Sequence, residues 1–365
     1  MNEVRTMVTG ERLDNRLLGV LRLVSPGTPL REAMERILRA EAGALIVLGA
    51  PPQVQALFTG GFRINVPFTA QRLSELAKMD GALVLDSDAR AILWANVHLM
   101  PDPAVPTVET GIRHRTAERV ARQTGVPVIA VSESMRTVIL YVDEWRHVVD
   151  EVAAVLSRAN QAVQTLRHYR ARFDEASSVL DALELQGHAT MRMVLALLSR
   201  GEMVRRIAGE VECYVAELGT DGRLLRLQLD ELGAGVEEEQ RLAVRDYLRQ
   251  GRGADADEVL EELARRSPED LSDPGALAKS LDLAGNPDAL DQMVGPRGYR
   301  LLSKVRELPS SVIARVVERF GSLKVILAAG LEDLEEVEGV GLGRARNLRE
   351  GLARLAETSA LEHYA

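Results

Sequence analysis

Ala82-Leu83-Val84-Leu85-Asp86-Ser87-Asp88-Ala89-Arg90-Ala91-Ile92-Leu93-Trp94 (residues 82–94) consists of two short apolar runs separated by a polar turn. Apolar runs of this length, bounded by turn residues, predict two buried strands of a hairpin rather than a helix. The same texture extends on both sides. Ala44-Leu45-Ile46-Val47-Leu48, Val126 to Val131 and Thr137 to Val142 predict further strands, while Thr69 to Met79 and a segment beginning near Gly111 predict amphipathic helices between them. Leu13 to Val24 and Leu30 to Ala40 carry apolar residues at helical spacing, with Ser25-Pro26-Gly27 breaking between them. A chain that mixes helices and buried strands in this way builds an α/β domain around a mixed central sheet.

Downstream the texture changes twice. From Glu144 to about Asn286 strand signals nearly vanish, and stretches such as Val148 to Glu175 and Met203 to Leu218 show helical periodicity with charges on the outer face. Gly219-Thr220-Asp221-Gly222 marks a turn within this helical spine. From Pro287 the helices become short and glycine-punctuated: Leu308-Pro309-Ser310-Ser311 opens one, and Phe320-Gly321-Ser322-Leu323 interrupts. The expected organisation is multidomain, α/β followed by all-α, with segments 1–146, 147–286 and 287–365. A doubled helical hairpin in the last segment is the only candidate for internal repetition.

Composition excludes several classes. The chain has 365 residues, enough for two or three domains, and 46% hydrophobic with 27% charged residues is a globular rather than a disordered balance. Cys213 is the only cysteine, so neither an intrachain disulfide nor a cysteine-based zinc site can form. No apolar run is long enough to cross a bilayer, and no apolar signal core follows Met1, Asn2, Glu3 and Arg5. A cytoplasmic protein without membrane contact is expected. The net charge of −9 would argue against a nucleic-acid partner, but it is an average, and such contacts need only a local basic or amide-lined surface.

One such surface is readable near the C-terminus. Leu334-Glu335-Glu336-Val337-Glu338-Gly339-Val340-Gly341-Leu342-Gly343-Arg344-Ala345 fits a helix-hairpin-helix. Alternate glycines permit a tight turn and close backbone approach. The following helix then starts with free N–H groups and a partial positive charge, for which a phosphate is the natural partner. Arg344 and Arg346 can add charge there. Glycines alone would make only a turn between packed helices; with Val337 and Val340 as packing points, sequence-independent DNA contact through Gly339, Gly341 and Gly343 is the favoured reading. The segment around Leu308 to Val312 lacks the glycines and reads as a structural partner.

Two clusters in the first segment carry chemistry. Asp80-Gly81-Ala82 stands at the junction of a helix and a buried strand, and Gly111-Ile112-Arg113-His114-Arg115-Thr116 at a helix start. Arginines, a histidine and a hydroxyl around a helix N-terminus make a polyphosphate cradle. A carboxylate beside a glycine could hold a divalent metal or orient a sugar hydroxyl. Taken separately, Asp80-Gly81 also reads as a turn or helix cap, and Arg113-His114-Arg115 as a solvated basic edge.

These two motifs, in this order and separation, resemble the signatures of the diadenylate cyclase domain. Ser157 to Ala162, Met203 to Ala208, Gly219 to Leu225, Pro296-Arg297-Gly298-Tyr299-Arg300 and the hairpin resemble the spine and DNA-binding end of the DNA integrity scanning family, so the resemblance covers nearly the whole chain. It implies condensation of two ATP into cyclic di-AMP with release of two pyrophosphates, with Mg2+ or Mn2+ as the only cofactor. It further implies that Asp80 binds the metal and helps activate the ribose 3′-hydroxyl. Gly81 and Ala82 would line the nucleotide and Leu99 the adenine region. Ile112, Arg113, His114, Arg115 and Thr116 would hold the phosphates, with Ser132 a further hydroxyl near them. Ile112 departs from the family, where threonine is usual, so only its backbone N–H could contribute. The resemblance also implies facing cyclase domains in a homo-oligomer, an octamer in the family, nucleoid association, and binding of branched DNA. The rival readings are a non-enzymatic ATP-sensing DNA-binding scaffold, against which intact Asp80 argues, and a DNA repair nuclease or accessory protein.

Overall fold

The structure, a computed structural model, describes residues 5–6, 15–248, 255–281 and 290–362. The chain divides into two compact units, 1–163 with 209–229, and 164–208 with 230–365.

The first unit opens with β1 (Arg5–Thr6), α1 (Asn15–Val24) and α2 (Pro29–Arg39), followed by β2 (Ala44–Leu48), α3 (Pro52–Gln55), β3 (Phe58–Thr59), β4 (Phe62–Pro67) and α4 (Ala70–Leu76). The hairpin of β5 (Ala82–Leu85) and β6 (Ala91–Leu99) comes next, then α5 (Ile112–Thr124), β7 (Val128–Ser132), β8 (Thr137–Val142) and β9 (Trp145–Val149). The strands line up as β1-β9-β8-β7-β2-β5-β6-β3, with β4 also on β6. Pairing is parallel at β1/β9 and β2/β5 and antiparallel elsewhere, the mixed sheet expected.

The period-2 alternation of a strand explains why every residue of β2, β5 and β7 is buried. Ile46, Leu83, Ile129 and Leu140 face one way, against Leu21, Met34, Ile37 and Leu73 of α1, α2 and α4. Leu45, Val47, Val84, Val128 and Ala130 face the other way, against Ala117, Val120 and Ala121 of α5. Helices on both faces leave no solvated side for the central strands. The turn of the β5–β6 hairpin is closed by Asp86, whose Oδ1 accepts from the N–H groups of Arg90 (2.6 Å) and Ala91 (2.9 Å). Thr28 and Thr69 cap α2 and α4 by accepting from Arg31 N–H (3.2 Å) and Arg72 N–H (3.1 Å).

The structure corrects the reading in several places. Strand structure does not end at Glu144: Trp145–Val149 pairs with Val138 to Val142 of β8, so the expected limit at 146 falls inside a strand, and Val148 is no helix start. The expected strand at Val126 begins two residues later and ends at Ser132. β6 runs on beyond Trp94 to Leu99 because it serves β5 on one side and β3 and β4 on the other.

In the second unit helices dominate. The long α6 (Val152–Gln186) and α7 (Met191–Leu218) are divided between the units, and a 3-10 turn at Gly219–Gly222, within the first unit, stands where the turn was expected. Then follow α8 (Arg223–Gly233), α9 (Val236–Tyr247), α10 (Ala256–Ala264), α11 (Pro268–Ser272) and α12 (Pro274–Leu281). The expected limit at 286/287 lies outside the described residues. The C-terminal helices are α13 (Tyr299–Ser303), α14 (Ser310–Phe320), α15 (Leu323–Ala328), α16 (Leu331–Glu335) and α17 (Leu342–Glu362), packed around Leu301, Val316, Leu334, Val337, Val340 and Leu348. Among the described residues no helix is long and apolar enough to cross a membrane.

A buried ionic knot ties α13 to α6 and α9. Arg300 is fully buried and pairs with Glu184 (2.7 Å), Glu239 (2.8 Å) and Asp181. Lys304 adds pairs to Asp181 (2.6 Å) and Glu239 (3.1 Å). Asp246 takes the main chain itself: its Oδ1 accepts from Gly298 N–H and Tyr299 N–H, both 2.7 Å, and its Oδ2 from Arg300 N–H, 2.9 Å.

Candidate nucleotide site and C-terminal surface

Strand register brings the separated motifs together. Leu45 stands opposite Ala82 on β5 and opposite Ala130 on β7, and Ala82 stands opposite Val97 on β6. The entry to β2 at Gly43, the entry to β5 at Asp80-Gly81, the exit of β7 at Ser132 and the exit of β6 at Leu99 therefore lie at one end of the sheet. Arg113 reaches the same end: its guanidinium fills the space a Cβ on Gly43 would need, with Cζ 2.6 Å from that position.

At this end the side chains differ in what they can do. Asp80 is exposed in the turn between α4 and β5, and no hydrogen bond or ion pair among the described residues engages its carboxylate. Gly81 has φ +104°, and a Cβ there would lie 2.9 Å from the Asn96 carbonyl carbon. The residue must be glycine because β6 crosses it, at the bulge where Asn96 itself takes φ 54°. Ala82 and Leu99 are buried in the sheet. Ser132 is buried too, and its Oγ accepts from Met135 N–H at 3.3 Å, closing the β7–β8 turn.

α5 starts as expected, with Gly111 as its cap residue and no side chain capping the first N–H groups. Ile112 is 78% exposed, so it has no core role. Arg113 and Arg115 are exposed and carry no ion pair among the described residues; Thr116 is half-buried. Two guanidinium groups without ion-pair partners among the described residues, beside an uncapped helix N-terminus, have the chemistry to attract an anion.

His114 is placed differently from its neighbours. It is buried, and its Nδ1 lies 3.1 Å from Tyr141 Oη on β8. That hydroxyl donates to Glu109 Oε1 at 2.8 Å, and Arg146 Nε of β9 donates to the same oxygen at 2.7 Å. Burial lowers the His114 pKa, and the Arg113 and Arg146 charges lower it further against the opposing pull of Glu109. For Glu109, burial works upward, but the hydrogen bonds from Arg146 and Tyr141 outweigh it, leaving its carboxyl below the ordinary value. Burial and then Glu109 raise Tyr141 well above the usual phenol range. His114 is thus a neutral, inward-facing member of the motif. Its burial was signalled by spacing, since 114, 117 and 121 form one helical stripe with the buried Ala117 and Ala121. Glu109, Tyr141 and Arg146 carried no local signal; Tyr141 and Arg146 stand opposite each other where β8 and β9 pair, and Glu109 reaches both from the loop before α5.

Among the described residues no cluster of three histidine, cysteine or carboxylate side chains could hold a metal by itself. A lone, exposed and unpaired carboxylate such as Asp80 fits only a cation whose other ligands are substrate oxygens and water, which is the usual habit of Mg2+.

The glycine-rich stretch near the C-terminus lies between α16 and α17. Gly339 has φ +87°, and a Cβ there would meet Arg315 Nη2 at 2.8 Å, so this glycine shapes the turn. Gly341 and Gly343 are exposed with open space where a Cβ would go. Arg344 donates from Nη1 to the Gly339 carbonyl at 2.7 Å, and Arg346 is exposed.

Comparison with known proteins gives two family models in succession along the chain. One, described as DisA bacterial checkpoint controller nucleotide-binding, matches residues 31–145, and the other, the DisA bacterial checkpoint controller linker region, matches 149–290. The chain is 55% identical over 354 residues to the DNA integrity scanning protein DisA of Acidothermus cellulolyticus, covering 96% of each. It is 56% identical over 352 residues to the protein of that name from Parafrankia sp., covering 96% of this chain and 98% of the other. The protein of that name from Streptomyces avermitilis is 54% identical over 354 residues, covering 96% and 95%.

Proposed function

The chain belongs to the DisA family, and from that premise we propose that it is a diadenylate cyclase coupled to a DNA-binding end. The reaction joins two ATP molecules into cyclic di-AMP and releases two pyrophosphates. The supporting observation is the convergence of Asp80, the Gly43-backed Arg113 and the open start of α5 at one end of the sheet. Arg113, Arg115 and the first N–H groups of α5 bind the triphosphate and stabilise charge on the leaving pyrophosphate. Asp80 would hold Mg2+ or Mn2+, which when bound would supply Lewis-acid stabilisation of phosphate charge and of a ribose alkoxide. Asp80 also orients the 3′-hydroxyl. Gly81, Ala82 and Leu99 shape the floor of the site, and Ser132 fixes the turn beside it.

One site accommodates one ATP, so joining two nucleotides needs two copies face to face, each 3′-hydroxyl in line with the other's α-phosphate. A homo-oligomer, an octamer by family resemblance, is therefore part of the reading. DNA binds at the start of α17 through main-chain N–H groups at Gly341 and Gly343 with Arg344 and Arg346, contacting phosphates rather than bases. Branched DNA is the expected ligand, and the nucleoid the expected place of action.

Incubation of the purified protein with ATP and Mn2+, followed by mass spectrometry of the product, tests the reading. Cyclic di-AMP and pyrophosphate are the expected products. Bound but unconverted ATP would establish the sensing scaffold instead, and cleavage of added DNA a nuclease.

A further inference from the structure

The buried chain running from Arg146 through Glu109 and Tyr141 to His114 has a direction. A carboxylate beside a guanidinium can only accept, so Glu109 Oε1 takes a proton from Arg146 Nε and another from Tyr141 Oη. Tyr141 has one hydroxyl proton, and the 2.8 Å bond to Glu109 uses it. What the phenol oxygen then offers His114, 3.1 Å away, is a lone pair. The reverse arrangement, with the Tyr141 proton given to Nδ1, would set two bare oxygens against each other at 2.8 Å. Nδ1 of His114 must therefore carry the proton. The neutral ring has one N–H, which leaves Nε2 as a lone pair. No hydrogen bond among the described residues engages Nε2. The adjoining Cδ2 edge of the ring faces the exposed start of α5, 3.4 Å from where a Gly111 Cβ would stand.

We propose that Glu109 and Tyr141, held by Arg146, are positioning residues that lock His114 in the Nδ1–H tautomer, so that Nε2 accepts a hydrogen bond from a hydroxyl of the bound nucleotide. The inference rests on the nucleotide reading of this site and assigns His114 a role unlike that of the arginines flanking it. A bare lone pair repels a phosphate oxygen, whereas a ribose hydroxyl is the donor it suits. The charged and titratable groups around the ring are Glu109 in the preceding loop, Tyr141 on β8, Arg146 on β9 and Arg113 on α5 itself. Protonation of Nε2 would abolish the acceptor, so activity through this contact falls as pH drops through the His114 pKa.

Amide isosteres separate the two ring nitrogens. In the full-length protein, His114→Gln can place a carbonyl oxygen where Nε2 stands, and His114→Asn can place an N–H where Nδ1 stands. ATP turnover and ATP binding by calorimetry are measured for both variants and for Tyr141→Phe. The Gln variant is expected to keep measurable turnover and the Asn variant to lose it. Tyr141→Phe should lower kcat about tenfold with KM for ATP changed less than about twofold, because phosphate capture is untouched. It should also displace the acid limb of the pH profile. A purely structural histidine gives the opposite order, Asn above Gln, with no change in the pH profile. A phosphate-holding histidine gives a raised KM with kcat intact in Tyr141→Phe. Either result overturns the proposal. Should the parent bind ATP without converting it, the cyclase reading fails on its own; the Gln-above-Asn order must then appear in ATP affinity, and its absence overturns the tautomer lock separately. Failure of the parent to bind ATP overturns both.

Discussion

The guanidinium of Arg113 occupies the space that any side chain on Gly43 would need, although the two residues lie on different elements, one at the head of α5 and the other at the entry to β2. Gly43 is thus the backing against which Arg113, the proposed phosphate ligand, rests. Its conformation does not require glycine, since its φ is not in the left-handed region; only the occupancy of the space does.

Gly43→Ala is expected to leave the fold intact and push Arg113 away from the sheet end. Misplacing a phosphate ligand by about an ångström should lower kcat/KM for ATP roughly tenfold to a hundredfold. Steady-state kinetics beside a circular dichroism melt checks this. An unchanged kcat/KM would show that Arg113 acts from another position.

Asp80→Asn keeps the shape of the exposed turn and removes its charge. Turnover is expected to fall by roughly a hundredfold or more, while ATP affinity measured without divalent cation stays near the parent value. The difference between metal-free and metal-containing titrations is the informative quantity.

At the other end of the chain, Gly341→Asp has room for its side chain, whereas Gly339→Asp has not, because of φ +87° and Arg315. The first should fold normally and weaken DNA binding about tenfold for all sequences alike, by setting a carboxylate where phosphate is expected. The second should also lower the melting temperature. Gel shifts at two salt concentrations, with branched and linear DNA, read the first; branched DNA should lower the cyclase rate of the parent and not that of Gly341→Asp.

Arg300→Met removes the buried cation that pairs with Glu184 and should cost about 3–5 kcal/mol of stability by denaturant titration. Burial already pushes the Glu184 carboxyl up to about 7, with Arg300 opposing the rise. Removing Arg300 raises it further. A carboxyl whose folded-state pKa exceeds its unfolded value costs stability as pH climbs through that interval, so the deficit against the parent should be larger at about pH 8 than at about pH 5.

Much of this molecule was legible in the order of its residues. The β5–β6 hairpin, β8, the start of α5 at Gly111 and the helix opening at Pro309-Ser310 follow from local patterns of apolar runs and breakers. β9 was not legible, because Arg146 and His147 interrupt the apolar alternation; both are explained by partners far along the chain, Glu109 and Glu217, rather than by solvent. β4 hid for another reason. Its residues are mostly exposed, and its pairing with β6 slips between Arg63 and Val66, where Asn65 takes φ 49°. The candidate site showed the same division: the motifs stood out by composition, while the gathering of Gly43, Asp80 and Ser132 depends on register, which no single segment specifies. At position 81 the structure adds a reason for glycine that no local pattern carries, the close passage of β6 at Asn96.

Asp246 holds residues 298–300 by their main-chain N–H groups alone. What it recognises is a backbone path, so Tyr299 could drift to most other residues without breaking any of those three bonds. Asp246 enjoys no such latitude. Asparagine would supply one accepting oxygen in place of two and turn an amide donor toward a main-chain N–H. The junction that carries the C-terminal helices is thus written in an asymmetric code, tolerant on the side that is held and strict on the side that holds. Variation among related chains should be sparse at 246 and confined to glycine at 298, where φ is +120°; at 299 it is limited by the ring, which lies 4.0 Å from the Arg245 guanidinium, and not by the three bonds.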